Sequence, residues 1–445
     1  MAKPLDELAK GFRKRTLVTA KLAGKVGLKM ARRTLGGPRE PDPVDVEKAA
    51  AAARELVVQL GGLKGLVMKL GQMASYLPGA LPEAAQRELG KLQAESTAMT
   101  FERVRDVIEE ELGAAPEALF ERFDEEPFAA ASIGQVHRAR FEGRDVAVKV
   151  QYPGIEDVLA SDLSTLGFFA KVSTFGLPMD AGAITEELRS RVLEECDYRR
   201  EADNQRELAA LMAGDPDVHV PEIVPERSGK RVLTTELVEA MRFAELSDRG
   251  SREAKDRAGG VIFRTCFSTL FRHGVYNGDP HPGNYLFHPD GRVTFLDFGC
   301  VRRFDARFIE SWKQFARGMI DEERDRFPER LRALGLVGRE RGFDYDAQWR
   351  ITEYLYRPFK QASPYMTYTE EYVRESYGVL LFENPNQRKT AMPPEWVLLN
   401  RLQWGLNAVL AKLEATGPWP VWFREAVEAP FEGRLGTGVD TTRDA

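Results

Sequence analysis

The stretch Asn277-Gly-Asp279-Pro-His-Pro-Gly-Asn284 sets an aspartate and an asparagine five residues apart in a loop built from Gly and Pro. Eighteen residues beyond Asp279, Asp297-Phe-Gly299 closes a second turn. A carboxylate and an amide oxygen are hard ligands of the kind magnesium takes, so Asn284 and Asp297 are candidate metal ligands. Asp279 is placed to accept a hydroxyl proton or to orient an attacking oxygen. Upstream, Asp145-Val-Ala-Val-Lys149-Val-Gln151 reads as a strand with one ammonium among small apolar residues. The period of two puts Lys149 on one face with Ala147 and Asp145, presenting its charge inward or across a cleft. An ammonium, a base and a pair of hard oxygens are what a triphosphate with its cation requires. Each residue has a plainer explanation on its own. Edge strands often carry Lys, Asp279 can cap the turn at Pro280, and Asp297 can end a hairpin. His281 has no second His at ligand spacing and reads as a loop-packing residue.

It is the order that argues for chemistry. A Lys strand, Asp-x4-Asn, a hairpin and Asp-Phe-Gly follow one another as in the catalytic core of protein kinases. There the Lys holds the α- and β-phosphates of ATP, and Asn and Asp hold Mg2+. A glutamate to hold the lysine is expected on a helix downstream. Glu194-Glu195-Cys-Asp197-Tyr-Arg-Arg-Glu201 offers candidates, with Asp197 and Glu201 on one helix face and Glu195 elsewhere around it. Leu233-Thr-Thr235-Glu236-Leu237-Val238 has strand-to-hinge character, and its backbone at Glu236 and Val238 is suited to the adenine edge.

The pattern also departs from a protein kinase. The segment Phe128–His137 holds one glycine, Gly134, where a glycine-rich phosphate loop is expected. After Asp-Phe-Gly, Gly299-Cys300-Val301 runs almost directly into a helix from Asp305, leaving no activation segment and no Ala-Pro-Glu. Phosphorylation of proteins is therefore disfavoured.

Positioning such a site takes strands before helices. Residues 128–141 and 145–151 read as strands around the turn Glu142-Gly143-Arg144, and 222–225 and 231–238 as two more runs around 227–230. Helical periodicity covers 46–77, 82–94, 101–112, 155–175, 183–212 and 251–271, and everything after Asp305. Tyr285–Phe287 and Val293–Leu296 flank His288-Pro289-Asp290-Gly291, a hairpin signal. The expectation is an α+β, bilobal protein-kinase-like fold. Its divisions are a basic amphipathic arm (1–40), a helical extension (41–122), a β-rich lobe (123–235), a helical lobe (236–433) and a flexible tail (434–445).

These deviations resemble the UbiB/AarF family of atypical kinases, the aarF-domain-containing, coenzyme Q-linked kinase-like proteins. The matching pieces are Lys69-Leu-Gly-Gln72, Ala129-Ala-Ala-Ser132-Ile-Gly-Gln-Val-His137, Val146-Ala-Val-Lys149-Val-Gln-Tyr-Pro-Gly154, Glu195-Cys-Asp197-Tyr-Arg-Arg-Glu201, Asp279-Pro-His-Pro-Gly-Asn284 and Asp297-Phe-Gly299. The resemblance covers roughly residues 60–310 and implies that the helical extension folds across the site. Lys69 and Gln72 would reach the nucleotide region and Lys69 would pair with Glu195. Glu201 would be the partner of Lys149, and Ala129, Ala130, Ala131 and Ser132 would cover the phosphates. It implies ATP or ADP and Mg2+ as ligands, ATPase or small-molecule phosphotransferase activity, and a link to isoprenoid quinone or lipid metabolism. The alternative is a catalytically weak nucleotide-sensing scaffold for a lipid or protein partner. An antibiotic- or choline-type phosphotransferase shares the Asp279 loop but leaves Lys69 and Gln72 unexplained. Two features depart from the family: no C-terminal membrane-spanning stretch is found, and Leu92–Met99 lacks the usual acidic, proline-bearing sequence.

Composition frames these readings. The chain has 445 residues, with 43% hydrophobic and 30% charged residues, which is ordinary for a globular protein with a large core. Trp396–Leu413, the most apolar stretch, is broken by Asn400, Arg401, Gln403, Asn407 and Lys412 and reads as a packed amphipathic helix. Three scattered cysteines indicate neither a disulfide framework nor a Cys-type zinc site and fit a reducing, cytoplasmic setting. Residues 1–39 hold eleven Lys or Arg against Asp6 and Glu7, so a net −6 chain divides into +9 and −15. The lysines that interrupt Leu17–Met30 argue against a secretory signal. This arm is either a peripheral contact with the inner face of an anionic membrane or a solvated segment lying on the acidic remainder. The expected ligands are a nucleotide and a lipid or quinone precursor; nucleic acid is not expected.

Overall fold

The computed structural model describes residues 99–433 apart from 132, 158, 160–193, 195, 361–363, 382–383, 388 and 392. The arm, most of the helical extension with Lys69 and Gln72, Ser132, Glu195 and the tail therefore lie outside the described residues. The chain forms two compact units. Of the described residues, the first holds those up to Arg200 with Ile223–Leu237, and the second holds Glu201–Glu222 with those from Val238 onward.

In the first unit, Arg122–Phe123, Ala129–Ala130, Gly134–Phe141, Arg144–Gln151 and Val232–Glu236 make one antiparallel sheet. Glu142 and Gly143, with φ of 49° and 73°, form the two-residue turn between its central strands. Positive φ at both positions matches the twist of a tight hairpin. Val146, Val148 and Val150 alternate along one strand and are all buried, joining Val104, Val107 and Ile108 of the helix Phe101–Leu112 in one core. That alternation forces Lys149 onto the other face. Burial of such a valine contributes about 1.5–3 kcal/mol, so a register slip that exposed all three is strongly disfavoured.

The expected strand over 128–141 is interrupted. Ala129–Ala130 folds back on Val136 and Gln135, and the amide of Ala131 donates to the Gly134 carbonyl at 2.9 Å. Gly134 lies opposite Gln151, and a Cβ there would sit 2.2 Å from the Val150 carbonyl oxygen. The glycine lets two strands close up. Residues 222–225 form no strand either; Ile223 makes an isolated bridge to Thr235, and Pro225–Arg227 is a 3-10 turn. Pro221 and Pro225 leave too few amides for a ladder.

A buried polar chain anchors the entry to this unit. The Met99 amide donates to Gln135 Oε1 at 2.9 Å, and Gln135 Nε2 lies 2.9 Å from His137 Nε2. His137 Nδ1 meets the Asp124 carbonyl at 2.8 Å. A carbonyl only accepts, so Nδ1 carries the hydrogen and Nε2 accepts from Gln135. The imidazole must be neutral for the chain to close. Its burial holds its pKa below the ordinary value.

In the second unit the 22-residue helix Arg252–His273 is buried on most sides. Ser251 caps its start by accepting from the Ala254 amide at 3.1 Å, and Gly274, at φ 68°, ends it. Helices Ala306–Ile320, Pro394–Leu413 and Trp419–Glu428 share its core. Pro394–Leu413 buries Leu399, Trp404, Leu406, Val409 and Leu410. No helix among the described residues is long and apolar enough to cross a membrane. Met366–Thr367 pairs with Thr416–Gly417, a two-stranded exception to the helical run after Asp305.

Gly134→Ala should lower stability by about 1–3 kcal/mol, because the added carbon meets backbone that cannot repack; chemical denaturation read by fluorescence measures it. A second outcome concerns pH. With its folded pKa below 6.5, His137 leaves stability intact above that value. As pH falls through 6.5 the unfolded chain takes up a proton that the folded chain refuses, so stability is lost. His137→Gln should be less stable at neutral pH yet lose less between neutral and mildly acidic pH; parallel curves for the two proteins would refute the assignment.

Candidate functional site

In the second unit, both loops that carry the acidic residues hang between two short ladders. Val275–Asn277 pairs with Val301–Arg303, and Tyr285–Phe287 pairs with Val293–Phe295. The first strand of each ladder flanks the Asp279 loop, and the second strand flanks Asp297-Phe-Gly299. Val301–Arg303 is thus a strand, where the sequence suggested an almost immediate helix; three residues suffice because their partner is only three long. Val293–Phe295 gains a parallel neighbour, Val218–His219, and Tyr285–Phe287 an antiparallel one, Met241–Arg242.

Within the loop, Asn284 Nδ2 donates to the Asp279 carbonyl at 2.8 Å and lies 3.4 Å from its Oδ2. The Asn284 backbone amide donates to the His281 carbonyl at 2.9 Å, and its own carbonyl accepts from the Leu296 amide at 3.0 Å. With the NH2 end fixed on Asp279, the other end of the amide is an oxygen. That suits a hard cation. Among the described residues no group of three or more His, Cys, Asp or Glu stands ready for a metal ion. Two protein oxygens with phosphate and water completing the shell is the usual arrangement for magnesium. His281 Nδ1 accepts from the Gly283 amide at 3.0 Å, a contact within the loop.

Asp297 Oδ1 accepts from the Gly299 amide at 3.0 Å, tightening its turn. Asn277 bridges the two loops: Nδ2 donates to the Asp297 carbonyl at 2.6 Å, while Oδ1 lies 3.4 Å from the Asp279 amide. Gly278 is required beside it, since a Cβ would come within 2.8 Å of the Cys300 carbonyl. Gly405, in the helix Pro394–Leu413, gives Pro280 its seat, a Cβ there falling 2.5 Å from the ring. Sequence reasoning missed Asn277, Gly278 and Gly405. The first two stand next to Asp279, a signal that was legible; Gly405 had none.

In the first unit, the Lys149 ammonium lies 4.7 Å from the centre of the Tyr198 ring. An ammonium over a phenol face gains electrostatic attraction. Tyr198 is held there from below. Gln151 Nε2 donates to the Cys196 carbonyl at 2.8 Å, and the Tyr198 amide donates to the Lys230 carbonyl at 2.9 Å. Gln151, two residues beyond Lys149, therefore fixes the start of the helix Tyr198–Met212. Asp197 precedes this helix and accepts from the Arg199 amide at 3.0 Å, so it acts at the helix start and does not share a helical face with Glu201. Glu194 lies 3.7 Å from Arg200, and Glu201, in the first turn, is buried. The Glu111 carboxylate, at the end of Phe101–Leu112, meets Arg231 at 3.0 Å and the Lys230 amide at 2.5 Å. Burial works to raise its pKa, and these partners outweigh that and hold it below the ordinary value. Glu236 pairs in register with Val146, and the next amide, Leu237, donates to Asp145 at 3.1 Å. The backbones of Glu236 and Val238 lie on either side of that bonded residue.

Comparison with known proteins adds an independent line. A family model described as the ABC1 atypical kinase-like domain matches residues 91–330. The atypical kinase coq-8, mitochondrial, of Caenorhabditis elegans is 31% identical over 94% of this chain and 57% of its own length. The rat atypical kinase COQ8B, mitochondrial, is 32% identical over 82% of this chain and 70% of its own. The chain thus spans little more than half of the worm protein. The complex structure of Rv3197 with erythromycin from Mycobacterium tuberculosis is similar at a TM-score of 0.64 and 29% identity, over 88% of this chain and 99% of that one.

Asn277→Ala should lower stability by roughly 1 kcal/mol, the net value of one hydrogen bond to a partly buried carbonyl; urea unfolding of the variant beside the parent gives the number.

Proposed function

Because the chain belongs to the ABC1 atypical kinase-like family and has its α+β, bilobal kinase-like fold, we propose that it binds ATP with Mg2+ and hydrolyses it or passes its terminal phosphoryl group to a small hydroxyl-bearing acceptor. In this reading Lys149 holds the α- and β-phosphates and Glu201 is its partner. Asn284 and Asp297 hold the metal, which supplies charge neutralisation at the phosphates when bound. Asp279 orients the attacking hydroxyl or water. Ala129, Ala130, Ala131 and Ser132 cover the phosphates, and the backbones of Glu236 and Val238 meet the adenine. Lys69 and Gln72 complete the set as the extension's contribution, with Lys69 paired to Glu195. The observation that carries the reading is the Asn284 amide, turned by its bond to Asp279 so that an oxygen remains for a hard cation.

The acceptor belongs, in this reading, to isoprenoid quinone or lipid metabolism, and the basic residues 1–39 give peripheral contact with an anionic membrane. The kinase names of the relatives agree with phosphoryl chemistry; the acceptor rests on the family resemblance alone. An alanine segment followed by a single glycine, Gly134, that is engaged in strand packing favours slow turnover over rapid protein phosphorylation.

The test is ATP hydrolysis by the purified chain, with and without anionic liposomes and a phenolic quinone-precursor mimic. Asp297→Asn should remove magnesium-dependent hydrolysis by about 10²–10³-fold, the scale of losing one preorganised electrostatic group. Asp279→Asn should keep nucleotide binding and lose turnover. Hydrolysis that survives Asp297→Asn unchanged would overturn the metal assignment. An Asp279→Asn protein that still supports function in cells would favour the nucleotide-sensing scaffold.

A further inference from the structure

Asp297-Phe-Gly299 has no activation segment behind it, so its backbone must be fixed by something else. Two asparagine amides do this within the second unit. Asn277 donates to the Asp297 carbonyl at 2.6 Å, and Asn204 donates to the next carbonyl, that of Phe298, at 3.0 Å. Asn204 comes from the helix Tyr198–Met212, three residues after the buried Glu201. Its other end is occupied too, since Oδ1 accepts from Arg303 at 2.9 Å. Arg303 also pairs with Glu207, one turn further along the same helix.

The chemistry of these contacts permits one arrangement. A carbonyl can only accept and a guanidinium can only donate, so turning the Asn204 amide over would set oxygen against oxygen and NH2 against Arg303. The two carbonyls belong to consecutive peptide planes, and those planes bracket Phe298, whose side chain is fully buried. Rotating either plane would redirect the Asp297 carboxylate and break one of the two amide bonds. We infer that Asn204 is a positioning residue for the site: with Asn277 it locks Asp297-Phe-Gly299 in one orientation, doing constitutively what a modified activation segment does elsewhere. The inference rests on the reading of Asp297 as a magnesium ligand for its functional consequence, but the lock itself does not.

Asn204→Asp separates the roles. It keeps an oxygen for Arg303, removes the donor to the Phe298 carbonyl and places an acceptor against it. Hydrogen exchange on the full chain without nucleotide should show faster exchange in residues 296–304 and little change in the strand Val232–Glu236. The magnesium concentration for half-maximal ATP hydrolysis should rise roughly 10–100-fold, as for other residues that orient a metal ligand. Metal-free ADP binding and the melting temperature should stay close to the parent. Asn277→Ala, which frees the neighbouring carbonyl without touching the helix, should give the same exchange and magnesium signature on top of its modest loss of stability, and serves if Asn204→Asp does not fold. Unchanged exchange in residues 296–304 overturns the lock. Faster exchange with an unchanged magnesium requirement overturns the positioning role. A parent protein indifferent to magnesium defeats the metal reading instead, and exchange still decides the lock.

Discussion

A loop that must aim a carboxylate cannot leave its own peptide groups to find partners at random. In the second unit this constraint is met by pinning both acidic loops at both ends, with one three-residue ladder before them and one after. Short ladders suffice because the loops share them. The Asp279 loop enters from the strand that pairs with the exit of Asp297-Phe-Gly299, and the reverse holds on the other side. Each loop therefore sets the other's register, and a shift in one cannot be absorbed locally. Asn277, Asn284 and Asn204 then complete the job with side-chain amides, which can donate at one end and accept at the other. Asparagine is the economical choice where a carbonyl must be held and an oxygen must be left for something else.

In the first unit the same logic of donors and acceptors acts on a different problem. Residues that look like a phosphate-binding loop in sequence are partly structural. Gly134 permits close approach of two strands, Gln135 and His137 tie Met99 to Asp124, and Gln151 fixes the start of a helix. The glutamine and histidine are buried, and each of their polar ends faces a specific partner. Replacing either by an apolar residue would leave a buried amide or carbonyl without its partner, which costs more than the bond itself is worth. A motif can therefore be characteristic of a family for reasons of folding and still neighbour residues that do chemistry.

Much of this was legible in the chain. Lys149 stands among valines whose alternation fixes its face, and Asp279, Asn284 and Asp297 stand at spacings that only a narrow range of chemistry requires. The long helices from residue 251 onward announce themselves by period. What the sequence hid were interactions that are neither periodic nor local. The strand Val301–Arg303 is too short to show alternation and exists because Val275–Asn277 is there to pair with it. The run at 222–225 looked extended but is bounded by Pro221 and Pro225, which leave too few amides for a ladder. Asp197 shares helical spacing with Glu201, yet a capping position uses the side chain before the helix begins. Asn204 lies ninety-four residues from the carbonyl it holds, so no local pattern could have singled it out.

The absence of a glycine-rich loop and of an activation segment belongs to one design. A kinase that acts on proteins needs a flexible cover over the phosphates and a movable platform for its substrate, and both bring states that must be ordered before reaction. Here Ala129–Ala130 is already paired in the sheet, and the turn at Asp297 is already bonded from two sides. Little conformational entropy remains to be removed at either place. Such preorganisation favours electrostatic work on a small, well-defined ligand. In the proposed reading it disfavours broad recognition of peptide chains. In that reading the preference for a small acceptor follows from hydrogen bonds within the fold.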